Sequence, residues 1–179
     1  MFGKIQSIDN SIIEHISKIH KPALNKIMIT ASRICNFGLV WWGLCILFVS
    51  RPKWRMVGLN IVLGIAIAHL MGEIIIKHVV KRVRPCHHLE DNEQIINRPK
   101  YYSFPSGHAT ASFSVVGVAL LRCDTGVLLP IILLASLIAF SRLYLRVHYL
   151  TDVVAGVLLG LTSGMCSVFL FDTIVQTIV

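Results

Sequence analysis

The sequence has few charged residues, and acidic residues are especially scarce. Only 15% of its 179 residues are charged, and 17 Lys and Arg stand against 9 Asp and Glu, so the net charge is +8. Hydrophobic residues make up 55% of the chain, and the mean hydropathy is +0.71. A soluble domain of this size does not need so much apolar surface, so the composition predicts an integral membrane protein. We expect the positive charge to meet lipid headgroups or an anionic substrate, with no nucleic-acid partner.

The sequence also lacks the spacings that indicate disulfides, metals or a cleaved leader. Its five cysteines form no CxxC pair and no Cys/His metal pattern, so we interpret them as packing residues. The first 20 residues contain no uninterrupted apolar stretch, which argues against a cleavable signal peptide. No internal repeat or low-complexity tract is visible. No cluster of carboxylates could hold Mg²⁺, and we expect neither a metal nor a cofactor.

The apolar runs predict an all-α, polytopic membrane helix bundle of about five spans. Residues 4–33 place isoleucines at roughly helical spacing among charged residues, which predicts an amphipathic interfacial helix and a second short helix after Pro22. A packed helix at the bundle edge is the alternative. We expect one domain over residues 1–179, with residues 1–33 in the interface and 34–179 in the bundle. The predicted spans are Ile34–Ser50, Met56–Ile76, Ala109–Leu121, Gly126–Phe140 and Val153–Phe171.

The order of these spans brings most of the polar chemistry to one membrane face. The candidate site loops are residues 77–108 and 141–152, and the other face receives only short polar segments and the C-terminus. The site face also carries 13 of the 17 basic residues, counting residues 4–33. The positive-inside rule would place such a face in the cytoplasm.

The middle polar segment is Phe104-Pro105-Ser106-Gly107-His108, where a loop becomes a helix. A helix N-terminus has unpaired N–H groups and a partial positive charge, so it suits an anion such as phosphate. Pro105 and Ser106 are also an ordinary way to begin a helix, and both interpretations stay open at this point.

Two further groups of polar residues flank that segment. Lys77 and Arg84-Pro85 end the second predicted span, and a Lys–Arg pair suits phosphate oxygens. Contact with lipid headgroups is the alternative, and it explains some of the neighbouring Lys81, Arg82, Arg98 and Lys100. Glu73 precedes Lys77 by one helical turn, so we expect these two side chains to pair.

The third group is Ser141-Arg142 followed by His148 and Asp152. If the chain is helical from Val147 onward, His148 and Asp152 lie on one face. The carboxylate can then accept the imidazole Nδ1–H and leave Nε2 free to attack. The alternative is an interfacial histidine beside an aspartate that begins a helix.

Taken together, Lys77-x6-Arg84-Pro85, Pro105-Ser106-Gly107-His108 and Ser141-Arg142-x5-His148-x3-Asp152 resemble the three motifs of the type-2 phosphatidic acid phosphatase superfamily. The resemblance covers residues 77–152, and residues 1–33 lie outside it. It implies a metal-independent phosphatase that acts on membrane lipids through a phosphohistidine.

The resemblance also implies a role for each motif residue. His148 would be the nucleophile, Asp152 would orient it, and His108 would protonate the leaving oxygen. Neighbouring side chains would support the site from behind. The residues implied to hold the phosphoryl group are Lys77, Arg84, Ser106, Gly107 and Arg142, and the supporting residues are Glu73, Pro85, Pro105 and Ser141.

The resemblance leaves several substrates open: undecaprenyl diphosphate, which we favour, phosphatidylglycerophosphate, phosphatidic acid or a lipid A phosphate. A lipid phosphotransferase and a catalytically silent lipid-binding protein are the other hypotheses. The resemblance places a multi-pass protein in the cell inner (plasma) membrane with its site at the extracytoplasmic face, opposite to the charge count. The sequence leaves the oligomeric state open.

Overall fold

The computed structural model of the protein describes residues 2–90 and 93–178, and no β-strand occurs within these ranges. Seven α-helices account for most of the described residues: α1 Phe2–Ser17, α2 Pro22–Ile34, α3 Leu39–Val49, α4 Arg55–His69, α5 Gly107–Arg122, α6 Thr125–Tyr144 and α7 Leu150–Ile178. An extension of α4 follows this helix without a break, as a π-helical turn over Leu70–Ile76 and a last α-helical turn over Lys77–Val80.

Three helical segments of the described chain are long and apolar enough to cross a membrane. They are Pro52–His88, Thr125–Tyr144 and Leu150–Thr177. Helices α2 and α3 meet at a bend of 52° and count as a fourth if the pair is taken as one broken span. The chain thus has the predicted all-α class of a membrane helix bundle, with three to four spans by length and composition.

The predicted span from Ile34 to Ser50 differs from the structure in its first residues. Ile34 is the last residue of α2, and α3 begins only at Leu39. Between them Phe37 (φ 53) and Gly38 (φ 72) have positive φ values, which an α-helix cannot accommodate. The backbone therefore breaks where hydropathy alone shows a continuous run.

Helices α5 and α7 pack with their backbones in close contact, and glycines make this possible. A Cβ atom on Gly164 would lie 2.1 Å from Ser114 O, and one on Gly160 would lie 2.4 Å from Thr110 O. On α5, a Cβ on Gly117 would similarly clash with α7. Small residues permit such an approach between membrane helices. This contact holds the start of α5 beside the start of α7, where the candidate site lies.

Helix α2 lies across the end of α6 that faces the candidate site. Near its start, Asn25 Oδ1 accepts a hydrogen bond from Tyr144 Oη at 2.6 Å. Near its end, Ser32 Oγ accepts one from Arg142. Both partners belong to the last turn of α6. Since the two ends of α2 reach the same end of α6, α2 covers that end of the bundle.

Replacing Gly164 by Ala should separate α5 from α7 and destabilise the protein. The new methyl group meets backbone atoms that cannot move aside, and overpacking of this kind costs about 1–3 kcal/mol. Thermal unfolding in detergent measures the effect. Gly43→Ala is the matched control, because a Cβ at Gly43 meets nothing within 4 Å. An equal loss of stability in both variants would contradict the packing argument.

Candidate active site

Helix ends and tight turns bring the motif residues to one end of the bundle. The extension of α4 ends at Val80, one turn after Lys77, because the next residue, Lys81, takes a left-handed conformation with φ 50. The chain turns back after α6 at Arg146, which has φ 56, and the amide of His148 donates to Arg142 O at 3.3 Å. The starts of α5 and α7 complete this end. Residues that lie far apart in sequence are therefore held by rigid elements.

The hydrogen bonds of His148 fix the state of its imidazole ring. Arg84 Nη1 lies 2.9 Å from His148 Nε2, and the same guanidinium nitrogen donates to Val147 O at 3.0 Å. A guanidinium can only donate hydrogen bonds, so Nε2 must accept with its lone pair. The ring hydrogen therefore belongs to Nδ1, and Nε2 is the nitrogen that can attack.

The surroundings of His148 keep its imidazole neutral. Burial lowers its pKa well below the usual value, and the positive charges of Arg84, Arg142 and Lys77 lower the pKa further. The side chain is only 2% exposed. A neutral imidazole keeps the lone pair that a nucleophile needs.

Asp152 lies beside His148, but the expected hydrogen bond between them is not formed. His148 Nδ1 is 3.6 Å from Asp152 Oδ2, and Oδ2 instead accepts from the Tyr149 amide at 2.8 Å. Helix α7 begins at Leu150, so the condition of a helix from Val147 onward is not met. His148 precedes the helix, and the carboxylate faces the ring from the first helical turn.

Lys77 and Glu73 form an ion pair next to the start of α5. Lys77 Nζ lies 2.5 Å from Glu73 Oε1, and Lys77 is buried. A Cβ atom on Gly107 would lie 2.1 Å from the same Glu73 oxygen. Glu73 belongs to the π-helical turn, a feature often found at functional sites. The carboxylate thus occupies the space between the lysine and the helix N-terminus.

Three buried polar groups of the site lack partners within residues 2–90 and 93–178. Ser106 Oγ, Arg142 Nε and His148 Nδ1 have no hydrogen-bond partner there, although all three residues are at most 5% exposed. The Ser106 amide donates to Asp152 O at 3.0 Å, which ties the start of α5 to the start of α7. Unpaired buried donors are costly, so an oxygen-rich anion between these groups would be stabilised.

His108 lies at the edge of this group of residues. Its Nε2 is 3.2 Å from Ser32 O and 3.3 Å from Asn36 Oδ1. Because these neighbours are acceptor oxygens, Nε2 carries a hydrogen in this arrangement. His108 therefore donates a hydrogen bond toward α2, whereas His148 presents a lone pair.

The other predicted supporting residues are Pro85, Pro105 and Ser141. Pro85 and Pro105 are buried, and Ser141 Oγ donates to Ile138 O at 2.6 Å within α6. Ser141 therefore satisfies its hydroxyl inside its own helix and does not contact the motif side chains through it. Its neighbour Arg142 reaches the site instead.

Sequence reasoning missed two residues that contact the site. Arg82, which was grouped with headgroup-binding side chains, bonds Asp152 Oδ1 at 2.7 Å and Asp9 Oδ2 at 2.7 Å. Asp9 belongs to α1 and has no exposed surface. One signal was present in the sequence: Asp9 lies between Ile5 and Ile13 at four-residue spacing, on the apolar stripe of α1.

Cations gathered around a helix N-terminus suit the binding of a phosphoryl group, and positioning with positive charge is the main need of phosphoryl transfer. Residues 57–174 match the family model described as the PAP2 superfamily, and the chain belongs to this family. It is thus a membrane phosphatase that acts on lipid phosphates. The resemblance drawn from the three motifs is confirmed.

Three known proteins illustrate the similarity. The undecaprenyl-diphosphatase of Sulfolobus acidocaldarius is 31% identical over 150 residues, 84% of this chain and 72% of that protein. The decaprenylphosphoryl-5-phosphoribose phosphatase of Mycobacterium tuberculosis is 35% identical over 139 residues, 75% of each chain. The crystal structure of a transmembrane PAP2-type phosphatidylglycerolphosphate phosphatase from Bacillus subtilis has a TM-score of 0.75 at 26% identity. It covers 95% of this chain and 87% of that chain.

Replacing Gly107 by Ala should disturb the Lys77–Glu73 pair and lower phosphatase activity. The methyl group would push the Glu73 carboxylate away, and small displacements in a site cost on the order of tenfold or more in rate. In a Glu73→Ala background the same change should cost much less, because the clashing carboxylate is gone. Phosphate release from the two single variants and the double variant measures this coupling. Independent, multiplicative losses would contradict it.

Proposed function

We propose that the protein hydrolyses a lipid phosphate or diphosphate through a phosphohistidine on His148. The observation that carries the proposal is the contact of Arg84 with His148 Nε2. It leaves a neutral imidazole with its lone pair directed toward the cationic groups of the site. A phosphoryl group held by those cations would lie in front of this nitrogen.

In the first step the lone pair of Nε2 forms a bond to phosphorus, and the bond from phosphorus to the lipid oxygen breaks. The electron pair of that bond stays on the leaving oxygen, which receives a proton from the imidazolium form of His108. The leaving group is a lipid alcohol or, from a diphosphate, a lipid monophosphate. The imidazole gains positive charge, which the nearby Asp152 carboxylate stabilises.

In the second step water attacks the phosphohistidine, and His108 accepts a proton from the water. The bond between nitrogen and phosphorus breaks, its electron pair returns to Nε2, and inorganic phosphate leaves. His148 is again neutral and His108 is again protonated. No residue is consumed, and the two histidines exchange no protons with each other.

The remaining motif residues would hold the phosphoryl oxygens. Lys77 and Arg142 supply buried positive charge, and Ser106 Oγ and the Gly107 amide supply hydrogen bonds at the start of α5. To enter, a phosphate must replace Arg84 as the partner of Nε2 and compete with Glu73 for Lys77. Both replacements exchange one set of polar contacts for another, so the buried groups stay satisfied.

We further propose that the whole chain forms one membrane domain with five spans. Helix α5 has 16 residues and is mostly buried among the others, so it would cross as the central, lipid-shielded helix. Helices α1 and α2 would lie in the interface at the site end. The site would face the extracytoplasmic side of the plasma membrane, as the family resemblance implies, although the basic residues are concentrated at this end.

Undecaprenyl diphosphate is the substrate that we propose. Two of the similar proteins carry polyprenyl lipids in their names, the Sulfolobus undecaprenyl-diphosphatase and the Mycobacterium phosphatase of a decaprenylphosphoryl sugar. The apolar flanks of the bundle suit a long isoprenoid chain that stays in the bilayer while its phosphate enters the site.

The histidine roles are tested by comparing two leaving groups. His148→Ala should abolish labelling of the protein by radioactive phosphate and abolish turnover. His108→Gln should slow release of a lipid alcohol strongly, but should slow release of p-nitrophenol much less, because that leaving group needs no proton. Rapid quench with a labelled substrate measures the covalent intermediate. Full activity of His148→Ala would contradict the mechanism.

The substrate is tested by phosphate release from purified protein with a panel of lipids. The kcat/KM should be highest for undecaprenyl diphosphate, compared with phosphatidylglycerophosphate, phosphatidic acid and a lipid A phosphate. The assay contains no acceptor lipid, so free phosphate distinguishes hydrolysis from transfer to a second lipid. A higher kcat/KM for any glycerophospholipid would overturn the substrate assignment and leave the phosphatase assignment intact.

A further inference from the structure

Arg82 joins the first helix of the chain to the carboxylate behind the proposed nucleophile. Its Nη1 donates to Asp152 Oδ1 at 2.7 Å, and its Nη2 donates to Asp9 Oδ2 at 2.7 Å. Thr151 Oγ1 accepts from Nη1 at 2.7 Å and itself donates to Asp9 Oδ2 at 2.5 Å. One guanidinium therefore holds two carboxylates from opposite ends of the sequence.

This cluster is removed from solvent. Asp9 and Asp152 have no exposed surface, and the Arg82 side chain is 18% exposed. The guanidinium also lies 4.0 Å from the centre of the Tyr149 ring. Charges that are held in such surroundings act strongly on their neighbours, because water screens them little.

The charges in this cluster do not cancel. With one cation between two carboxylates, the cluster carries a net charge of −1. If Asp9 were neutral, Arg82 would be left with Asp152 alone, and the pair would carry no net charge. The field that Asp152 exerts on His148 thus depends on a second carboxylate on α1.

His148 needs this negative field because its other charged neighbours are cations. Arg84 contacts its Nε2, and Arg142 and Lys77 act on the same ring. When Nε2 bonds to phosphorus, the imidazole becomes positively charged among them. Asp152 is the carboxylate beside its Nδ1, at 3.6 Å.

We infer that Asp9 is a positioning residue of the reaction: it offsets the charge of Arg82, whose guanidinium binds the Asp152 carboxylate beside His148. Asp152 thereby remains effectively anionic when His148 is phosphorylated. The inference rests on the proposed role of His148. It assigns a part in catalysis to α1, a segment outside the motifs of the family.

A purely structural tie between α1 and the bundle makes a different prediction from charge balance. If the cluster only attaches α1 to the bundle, each substitution weakens this attachment. The double variant should then have the lowest activity. If charge balance matters, removing Asp9 and Arg82 together returns the net charge to −1. The double variant Asp9→Asn/Arg82→Gln should then be more active than Asp9→Asn alone.

The experiment measures kcat, KM and the rate of phosphoenzyme formation in the full-length protein in detergent. Asp9→Asn should lower kcat by on the order of tenfold, as expected for one charge acting through a protein interior, with KM little changed. Asp9→Glu keeps the charge and should retain more activity than Asp9→Asn. Glu14→Gln is the matched control: it removes an exposed carboxylate from the same helix, and kcat should not change.

The outcomes are distinguishable. Recovery of kcat and of phosphoenzyme formation in Asp9→Asn/Arg82→Gln supports the inference, and a double variant no better than Asp9→Asn overturns it. Unchanged kcat in Asp9→Asn also overturns it. Should Asp9→Asn fail to fold, an Asp9→Glu variant that folds with unchanged KM but has a kcat about tenfold below that of the wild type overturns it instead. Activity in His148→Ala would show that the proposed function itself is wrong.

Discussion

Three buried cations with too few carboxylate partners are the constraint on which the rest of the site depends. Lys77, Arg84 and Arg142 are each at most 5% exposed, and buried charges normally require pairing. Lys77 has Glu73, whereas Arg84 bonds to backbone oxygens and to His148. The folded site therefore contains more buried cations than carboxylates, and all of these groups are held in fixed positions. In the proposed function a phosphoryl group supplies the balancing negative charge, and its transition state gathers more of it on the oxygens.

The close contact of α5 and α7 is what allows this cluster to exist at one place. Glycines at the helix contact bring the two backbones together, so the start of α5 lies against the start of α7. The hydrogen bond from the Ser106 amide to Asp152 O joins them directly. The N-terminus of α5 and the carboxylate beside His148 are thus parts of one rigid unit, and fixed geometry of this kind favours catalysis.

The sequence predicted the parts of the site that depend on local spacing. Glu73 and Lys77, which form an ion pair, are one helical turn apart in the sequence. Three motifs with fixed spacing identified the family. Contacts across the fold could not be read in this way. Hydropathy did not show the break at Phe37 and Gly38, since both residues are compatible with an apolar run. The role of Arg82 depends on a carboxylate 73 residues earlier, which no local pattern connects to it.

The tie between α1 and α7 also bears on the order in which the protein is made. Asp9 leaves the ribosome 142 residues before Thr151, whose amide it accepts at 3.1 Å. The first helix therefore lies in or on the membrane without this contact until the last helix has been inserted. Arg82 gains both of its carboxylate partners only when the first and the last helix have met. A nascent chain that ends before α7 thus contains Lys77, Arg84 and Arg142 but lacks the contacts that join Arg82 to Asp152.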